Sequence, residues 1–138
     1  MRLFIFCNEN RPAIPGSKGD VKTLSSTDIS SAIDYYYSRV EAFGFVESSE
    51  SEDCIQQLLS KVGAGGVVKL QGVDIYQAAE ALCTGDLNIS DFSTLVLKGK
   101  NRPTSLHSLM DQVKSSGEFS IEYAGISGLH YILEARRK

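Results

Sequence analysis

The sequence predicts a layered α/β domain, and two features of the chain indicate this class. The segment from Ser51 to Asp74 has the pattern of an amphipathic helix, a glycine turn and a buried strand that ends in an acid. Further along, Phe119 to Ala124 and Leu129 to Ala135 alternate polar and apolar residues around a glycine-bounded turn, which is typical of an antiparallel hairpin. A length of 138 residues fits one hydrophobic core, so we predict a single domain over residues 1–138.

Three strands are predicted before this helix–turn–strand unit. Arg2 to Cys7 is apolar enough for a buried strand, and Asp20 to Leu24 is a short second candidate. The loop between them contains Pro12 and Pro15, so no helix is expected there. Ile33 to Val40 is rich in β-branched and aromatic residues and is predicted as the third strand.

The central helix has marked ends. Ser49 and Glu52 stand in the S-x-x-E relation of a capping box, in which each side chain satisfies a free backbone N–H at the helix start. The helix is expected to end at Gly63 to Gly66, since glycine adopts left-handed backbone angles at little steric cost. The apolar residues from Val67 to Leu70 then predict a strand that is covered on both faces.

Three more helices are predicted in the second half of the chain. The first follows Asp74 and ends at Gly85. A short one is capped by Ser90 or Asp91. The third covers Thr104 to Lys114, where apolar residues recur at helical spacing.

Composition and charge exclude several functional classes. The hydrophobic and charged fractions, 42% and 22%, are those of a soluble globular protein. A net charge of −3 without a basic stripe argues against a nucleic-acid partner. No apolar stretch reaches the roughly 20 residues that span a bilayer, and the first ten residues turn polar too early for a signal peptide. We therefore expect a cytoplasmic protein without a membrane partner.

The cysteines and histidines do not form a metal-binding pattern. Cys7, Cys54 and Cys83 are odd in number and widely spaced, and the last two fall on apolar helix faces, so we expect small buried side chains. His107 lies off the apolar stripe of its helix and should be exposed, whereas His130 is expected to pack in a strand. No zinc-like ligand spacing is present, and we predict no metal site.

Taken in order, the segments from Ile33 onward resemble a class I S-adenosylmethionine-dependent methyltransferase. The matching pieces, in chain order, are Arg39–Phe43, Val62–Leu70, Asp74, Gly117–Phe119 and Glu134–Arg136. They correspond to that family's h-x-L-E-H segment, L-x-x-G-G turn and strand, strand-end acid, G-F helix end and closing E-A-R. The resemblance implies a Rossmann-like fold with a mostly parallel sheet, a C-terminal antiparallel hairpin, and S-adenosylmethionine as the cofactor.

The front half departs from that family's pattern. Cys7 to Asn10 occupies the place of the glycine-rich cofactor loop but contains no glycine, and Asn8 and Glu9 add bulk and a negative charge. Where the family holds its ribose-binding acid, this chain has Lys22, with Asp20 nearby. About 25 residues separate the first strand from Ile33, too few for two or three helical crossovers. We therefore expect a truncated, degenerate cofactor half.

If a cofactor binds, the topology of such sheets places it outside the carboxyl ends of the strands, where the first and third strands meet. The predicted cofactor-binding residues are Cys7, Asn8, Glu9, Ser38, Arg39 and Glu41. Asp74, at the neighbouring strand end, is a weak candidate for a catalytic base, and its alternative role is a helix N-cap. Glu41 is either catalytic or a solvated or capping acid. Tyr35, Tyr36 and Tyr37 either pack on the two covering layers or stack against a base.

Two functions from different classes follow from these residues. The first is a non-catalytic interaction or structural module, of viral or phage origin by its small size. The second is a minimal S-adenosylmethionine-dependent methyltransferase acting on a small molecule, glycan or protein. We also expect a protein partner or self-association, with Leu3 to Phe6 and Phe43 to Phe45 as contributors, because the missing helices would leave apolar surface uncovered.

Overall fold

The computed structural model describes residues 1–6, 21–49 and 52–138. Six strands occur in these ranges: β1 Arg2–Phe6, β2 Val21–Ser25, β3 Tyr37–Phe43, β4 Val62–Val73, β5 Phe119–Ser127 and β6 His130–Arg137. The described helices are α1 Phe45–Ser48, α2 Cys54–Ser60, α3 Ile75–Thr84, α4 Ile89–Phe92 and α5 Leu106–Ser115, with a 3₁₀ helix at Ser26–Ser31 and a π-helix at Ser93–Leu97.

All six strands form one sheet in the order β2-β1-β3-β4-β6-β5. Strands β2, β1, β3 and β4 are parallel to one another, whereas β6 runs antiparallel to both β4 and β5. Ser127 pairs with His130, so the loop of the hairpin consists of Gly128 and Leu129. The mostly parallel sheet with a C-terminal antiparallel hairpin is confirmed.

One face of the sheet carries the hydrophobic core. Alternate strand residues such as Leu3, Val40, Val68 and Leu133 are fully buried there. They pack with apolar residues of the 3₁₀ helix, α1, α2 and α5, which together form a single cluster. Burial of this apolar area supplies the main driving force for folding.

The opposite face of the described strands is largely polar and partly exposed. Across the sheet, Glu41 on β3 is level with Lys69 on β4, which is level with Glu134 on β6. Nearer the carboxyl ends of the parallel strands, the same face becomes apolar with Phe43 and Ile132. This face therefore has a charged half and an apolar half.

The third strand lies four residues later than its aromatic composition predicted. The predicted strand began at Ile33, but Tyr35 has a φ of 54°, a left-handed angle that interrupts an extended chain. Its backbone N–H donates to the Ser60 carbonyl at 2.7 Å, outside the sheet ladder. Pairing with β4 begins only at Tyr37, whose ring is buried.

The predicted capping box does not start the central helix. Residues Phe45–Ser48 form the separate helix α1, because Phe45 and Val46 bury against the core. Helix α2 begins at Cys54, with Asp53 at its N-cap position. Ser49 is the C-cap of α1, so the predicted place of Ser49 at the start of the central helix is wrong.

The glycine run is part of β4 and does not end the helix. Pairing moves from Tyr37–Val62 to Arg39–Val67, so two steps along β3 match five along β4 and three residues bulge out. Gly65 takes a φ of 70° within this bulge. At Gly66 a Cβ would lie 2.9 Å from the Gly63 carbonyl oxygen, so only glycine fits there.

Helices of the second half agree with the sequence in type and order. Gly85, with a φ of 84°, ends α3 as predicted. Asn88 caps α4 in place of Ser90 or Asp91, because its side-chain oxygen accepts from the Asp91 N–H at 2.8 Å. Within the described ranges no helix combines the length and apolarity needed to cross a membrane.

Candidate functional site

The carboxyl ends of β1, β3 and β4 meet at one edge of the sheet, and two acidic residues follow these strands. After β3, Gly44 takes a φ of 67° and turns the chain into α1, which places Glu47 at this edge. After β4, Asp74 lies at the start of α3. In open α/β sheets this edge is where ligands bind, so both acids are candidate functional groups.

Asp74 is fully used by the fold. Its Oδ1 accepts from the backbone N–H groups of Tyr76 at 3.0 Å and Gln77 at 3.1 Å, and its Oδ2 accepts from the Leu106 N–H at 2.8 Å. The residue is 3% exposed. The alternative role as a helix N-cap is therefore confirmed, and the same carboxylate also ties α3 to the start of α5.

Glu47 is the most unusual ionisable residue of this edge. It is 3% exposed, and its Oε1 accepts a 2.6 Å hydrogen bond from the Tyr131 hydroxyl. Its Oε2 is buried and has no hydrogen-bond partner among the described residues. Burial raises the pKa of this carboxyl above its ordinary value, against the smaller opposing effects of Tyr131 and of the Lys100 charge.

A glycine makes the Glu47–Tyr131 contact possible. A Cβ at Gly72 would overlap Glu47 Oε1 and would lie 2.7 Å from the Tyr131 hydroxyl oxygen. The chain therefore keeps a side-chain-free position near the carboxyl end of β4. The sequence predicted no functional role for Glu47. The available signals were the apolar pair Phe45 and Val46 just before it and a glycine inside an apolar strand.

Two adjoining cavities lie on the partly exposed face of the sheet, where that face becomes apolar. Their volumes are about 180 Å³ and 230 Å³, and Phe43 and Gln71 line both. The ring of Phe43 lies 5.9 Å from that of His130, which packs in its strand as predicted. Each cavity is smaller than the ~300–1,000 Å³ of typical small-molecule sites, so a nucleoside-sized ligand would have to occupy both cavities.

The structure separates the predicted cofactor-binding residues. Cys7, Asn8 and Glu9 lie outside the described residues. Ser38 lies at the amino end of β3, where its N–H donates to the Met1 carbonyl at 2.9 Å. Its predicted place at the carboxyl end is wrong, since β3 extends to Phe43.

Arg39 and Glu41 likewise lie within β3 and not at its carboxyl end, which corrects their predicted place. The Arg39 guanidinium is 2.9 Å from Glu134 Oε1 on β6 and 3.4 Å from Glu41 Oε2. Both Arg39 and Glu41 are half-buried, so Glu41 is an ion-paired strand residue and not a solvated or capping one. Whether either residue contacts a cofactor stays a prediction.

The tyrosine run also differs from expectation. Tyr37 alone is buried, whereas Tyr35 and Tyr36 are 61% and 49% exposed, so the predicted packing on two covering layers is wrong. The Arg137 guanidinium lies 4.9 Å from the centre of the Tyr35 ring and 4.8 Å from that of Phe119. Tyr35 is thus half of a cation–π sandwich.

The predictions for the cysteines and for His107 are confirmed in part. Cys54 is buried as predicted, but Cys83 is exposed, because α3 buries only Ala78. His107 is exposed, as its position off the apolar stripe indicated.

Leu3, Ile5 and Phe45 are buried in the core, so their predicted contribution to self-association is wrong, whereas Phe43 is 55% exposed.

Comparison with solved structures identifies the architecture. A methyltransferase from Methanosarcina mazei that uses S-adenosylmethionine aligns with a TM-score of 0.61 at 8% identity, over 99% of this chain and 92% of its own. One from Archaeoglobus fulgidus aligns with a TM-score of 0.60 at 11% identity, over 99% and 86%. The chain has the fold of the S-adenosylmethionine-dependent methyltransferases. The predicted Rossmann-like fold is confirmed.

A third methyltransferase, from Thermotoga maritima, is named a possible histamine N-methyltransferase. It aligns with a TM-score of 0.59 at 14% identity over 86% of this chain, which spans 64% of that protein. No family model matches the sequence, and no curated protein matches it. At these identities the likeness concerns the methyltransferase fold alone.

Proposed function

We propose that this chain is a degenerate methyltransferase-fold module, which serves as an interaction or structural part of an assembly and does not transfer methyl groups. The observation that carries the proposal is the state of Asp74. Both oxygens of this carboxylate accept backbone hydrogen bonds, so the acid that the sequence offered as a base is committed to holding helices together.

The predicted cofactor residues support the same proposal. Cys7 to Asn10 contains no glycine, although close approach of backbone N–H groups to a cofactor depends on glycine at such turns. Arg39 is engaged in ion pairs with Glu41 and Glu134 in the middle of the sheet. A rearrangement of these contacts would be needed before Arg39 or Glu41 could bind a ligand at the carboxyl edge.

The remaining predictions belong to this proposal. The chain is proposed to be a single domain of 138 residues that binds a protein partner in the cytoplasm and has a viral or phage source. These are the properties of a small binding module. The near-balanced composition, with a net charge of −3, favours a protein partner over a nucleic acid.

Calorimetric and thermal-shift titrations with S-adenosylhomocysteine and S-adenosylmethionine test the proposal. We expect no heat of binding and no change in melting temperature up to about 1 mM ligand, because a ligand that binds only the folded state raises its stability with concentration. A melting temperature that climbs with either ligand contradicts the proposal. Adenosine at the same concentration controls for non-specific effects, and an Arg39→Ala variant tests whether any binding uses the predicted residues.

Glu47 favours a second candidate, a minimal S-adenosylmethionine-dependent methyltransferase. Its carboxyl is buried at the carboxyl edge of the sheet, its pKa is raised, and one oxygen has no partner among the described residues, which are the properties of a general base. When bound, the cofactor would supply the methyl group, and alignment of the acceptor supplies most of the remaining catalysis. Cofactor binding that survives in Glu47→Gln, with loss of methyl transfer, would support this candidate.

A further inference from the structure

One helical region of the protein contains acidic residues and no basic ones. Residues 75–97, which comprise α3, α4 and the π-helix, contain the acids Glu80, Asp86 and Asp91 and no lysine, arginine or histidine. All three carboxylates are exposed, and we call this region the acidic lobe.

A basic segment follows the acidic lobe directly. Residues 98–102, here called the basic turn, hold Lys98, Lys100 and Arg102. Lys98 is exposed, and Lys100 and Arg102 are partly exposed. Among the described residues, none of the three acids of the lobe forms an ion pair with any of these cations. The acidic lobe and the basic turn are thus consecutive in the chain and, among the described residues, form no ion pair with each other.

The acidic lobe also exposes apolar side chains. Tyr76 and Ile89 are 69% and 67% exposed, the highest values among the large apolar residues of the described chain, and Leu97 is 56% exposed. The helices that carry them pack on one another and are capped by Asp74, Asn88 and Gly85. A surface held in place in this way loses little entropy on binding.

We propose that the acidic lobe and the basic turn form a two-fold dimer interface, in which the lobe of one copy faces the basic turn of a second copy. Two adjacent patches of opposite charge are self-complementary under a two-fold axis, because each contact is made twice. Tyr76, Ile89 and Leu97 supply the apolar area, and the charges fix orientation and partner choice. This interface goes beyond the proposed function and does not depend on methyl transfer.

A second copy fits this surface better than other partners do. A basic peptide would pair with the acidic lobe and leave the basic turn unmatched, whereas an anionic partner would do the reverse. A second copy neutralises both patches in one contact and covers the exposed Tyr76 and Ile89. The charge complementarity therefore selects another copy of this chain.

Light scattering after size exclusion and sedimentation velocity, on the full chain, test the interface. At about 100 µM protein we expect a dimer at about 50 mM salt and at least a tenfold rise in dissociation constant at about 500 mM, since salt screens exposed charges. A strictly monomeric chain at the lower salt concentration overturns the proposal. So does a dimer that is insensitive to salt.

Charge reversal provides a sharper test. We expect the acid variant Asp86→Lys/Asp91→Lys and the basic variant Lys98→Glu each to be monomeric, and an equimolar mixture of the two to form a heterodimer. Circular dichroism melts verify that both fold, and Glu52→Lys/Lys114→Glu, two exposed charges elsewhere, should leave the dimer unchanged. A mixture that stays monomeric, or single variants that still dimerise, contradicts the proposal.

The apolar part of the interface has its own matched pair. Ile89→Ser should weaken the dimer at least tenfold, because it removes an exposed anchor from the lobe. Ile126→Ser, at a 42% exposed residue of β5, should not change it. Equal effects of the two substitutions would place the contact elsewhere and overturn the assignment.

Discussion

The Tyr131 hydroxyl donates a 2.6 Å hydrogen bond to Glu47 Oε1, across 84 positions of the chain. This bond joins β6, near the C-terminus, to the short helix that follows β3. The main chain strengthens the connection, because the Glu47 carbonyl accepts from the N–H groups of Asn101 at 2.8 Å and Arg102 at 3.2 Å. Glu47 is thus a junction of three distant segments.

Substitution of Glu47 by glutamine should change how stability depends on pH. Burial raises the pKa of the folded-state carboxyl above its unfolded value. The stability from this group is therefore fully present below the unfolded pKa and is lost as the pH rises through the folded pKa. We expect Glu47→Gln to gain stability relative to the natural protein as the pH rises, measured by thermal melts between about pH 4 and 8. Parallel curves would contradict this, and Glu80→Gln at an exposed carboxyl is the control.

Gly72→Ala should destabilise the protein through a clash with the same pair. The added Cβ would overlap Glu47 Oε1 and approach the Tyr131 hydroxyl, so we expect a loss of about 1–3 kcal/mol in urea unfolding. In a Glu47→Ala background the obstructing carboxyl is gone, and the alanine at position 72 should cost much less there. Additive effects of the two substitutions would show that the glycine serves another purpose.

Asp74→Ala tests the structural role of the strand-end acid. It removes two hydrogen bonds to the N-terminus of α3 and one to α5, so we expect a loss of about 2 kcal/mol in chemical unfolding. Asp74→Ser keeps a capping oxygen for α3 and should recover part of that loss. Unchanged unfolding in Asp74→Ala would return this residue to the list of functional acids.

Arg137→Lys should be destabilising although it keeps the charge. The Arg137 guanidinium donates to the carbonyls of Val62 at 2.8 Å and Leu59 at 2.7 Å while it lies between two aromatic rings. A lysine ammonium has neither the planar fork nor the stacking face, so we expect a loss of about 1–3 kcal/mol. Arg136→Lys, at an exposed position, should change stability by less than about 0.5 kcal/mol.

Element type and order followed from the sequence where the local signal agreed with burial. Helix α3 has both its cap at Asp74 and its glycine stop at Gly85, and β6 alternates buried residues with more exposed ones as predicted, whereas β5 does not keep this alternation. The start of β3 did not follow, since the β-prone run at Ile33 to Tyr36 lies outside the ladder and is held by the Ser60 and Lys61 carbonyls. Aromatic composition predicts an extended segment, but it does not determine which of its residues pair with the neighbouring strand.

The Glu47 site could not be predicted because it depends on contacts between distant segments. An acid in a serine-rich, acidic stretch has the sequence context of a solvated loop, and only the fold brings Tyr131 and the bare backbone of Gly72 against it. The predicted cofactor residues in β3 failed for a related reason. A shift of the strand by a few residues moves Ser38 from one end of the sheet to the other.

The position of β6 between β4 and β5 has a consequence for biosynthesis. During synthesis β4 leaves the ribosome well before β6. The N–H and C=O groups on one edge of β4 therefore have no strand to pair with while residues 74–129 emerge. During that interval the nascent chain offers a ready template for strands of other molecules. Pairing of β6 with β4 covers this edge once the hairpin has emerged and so removes a site at which other strands could add.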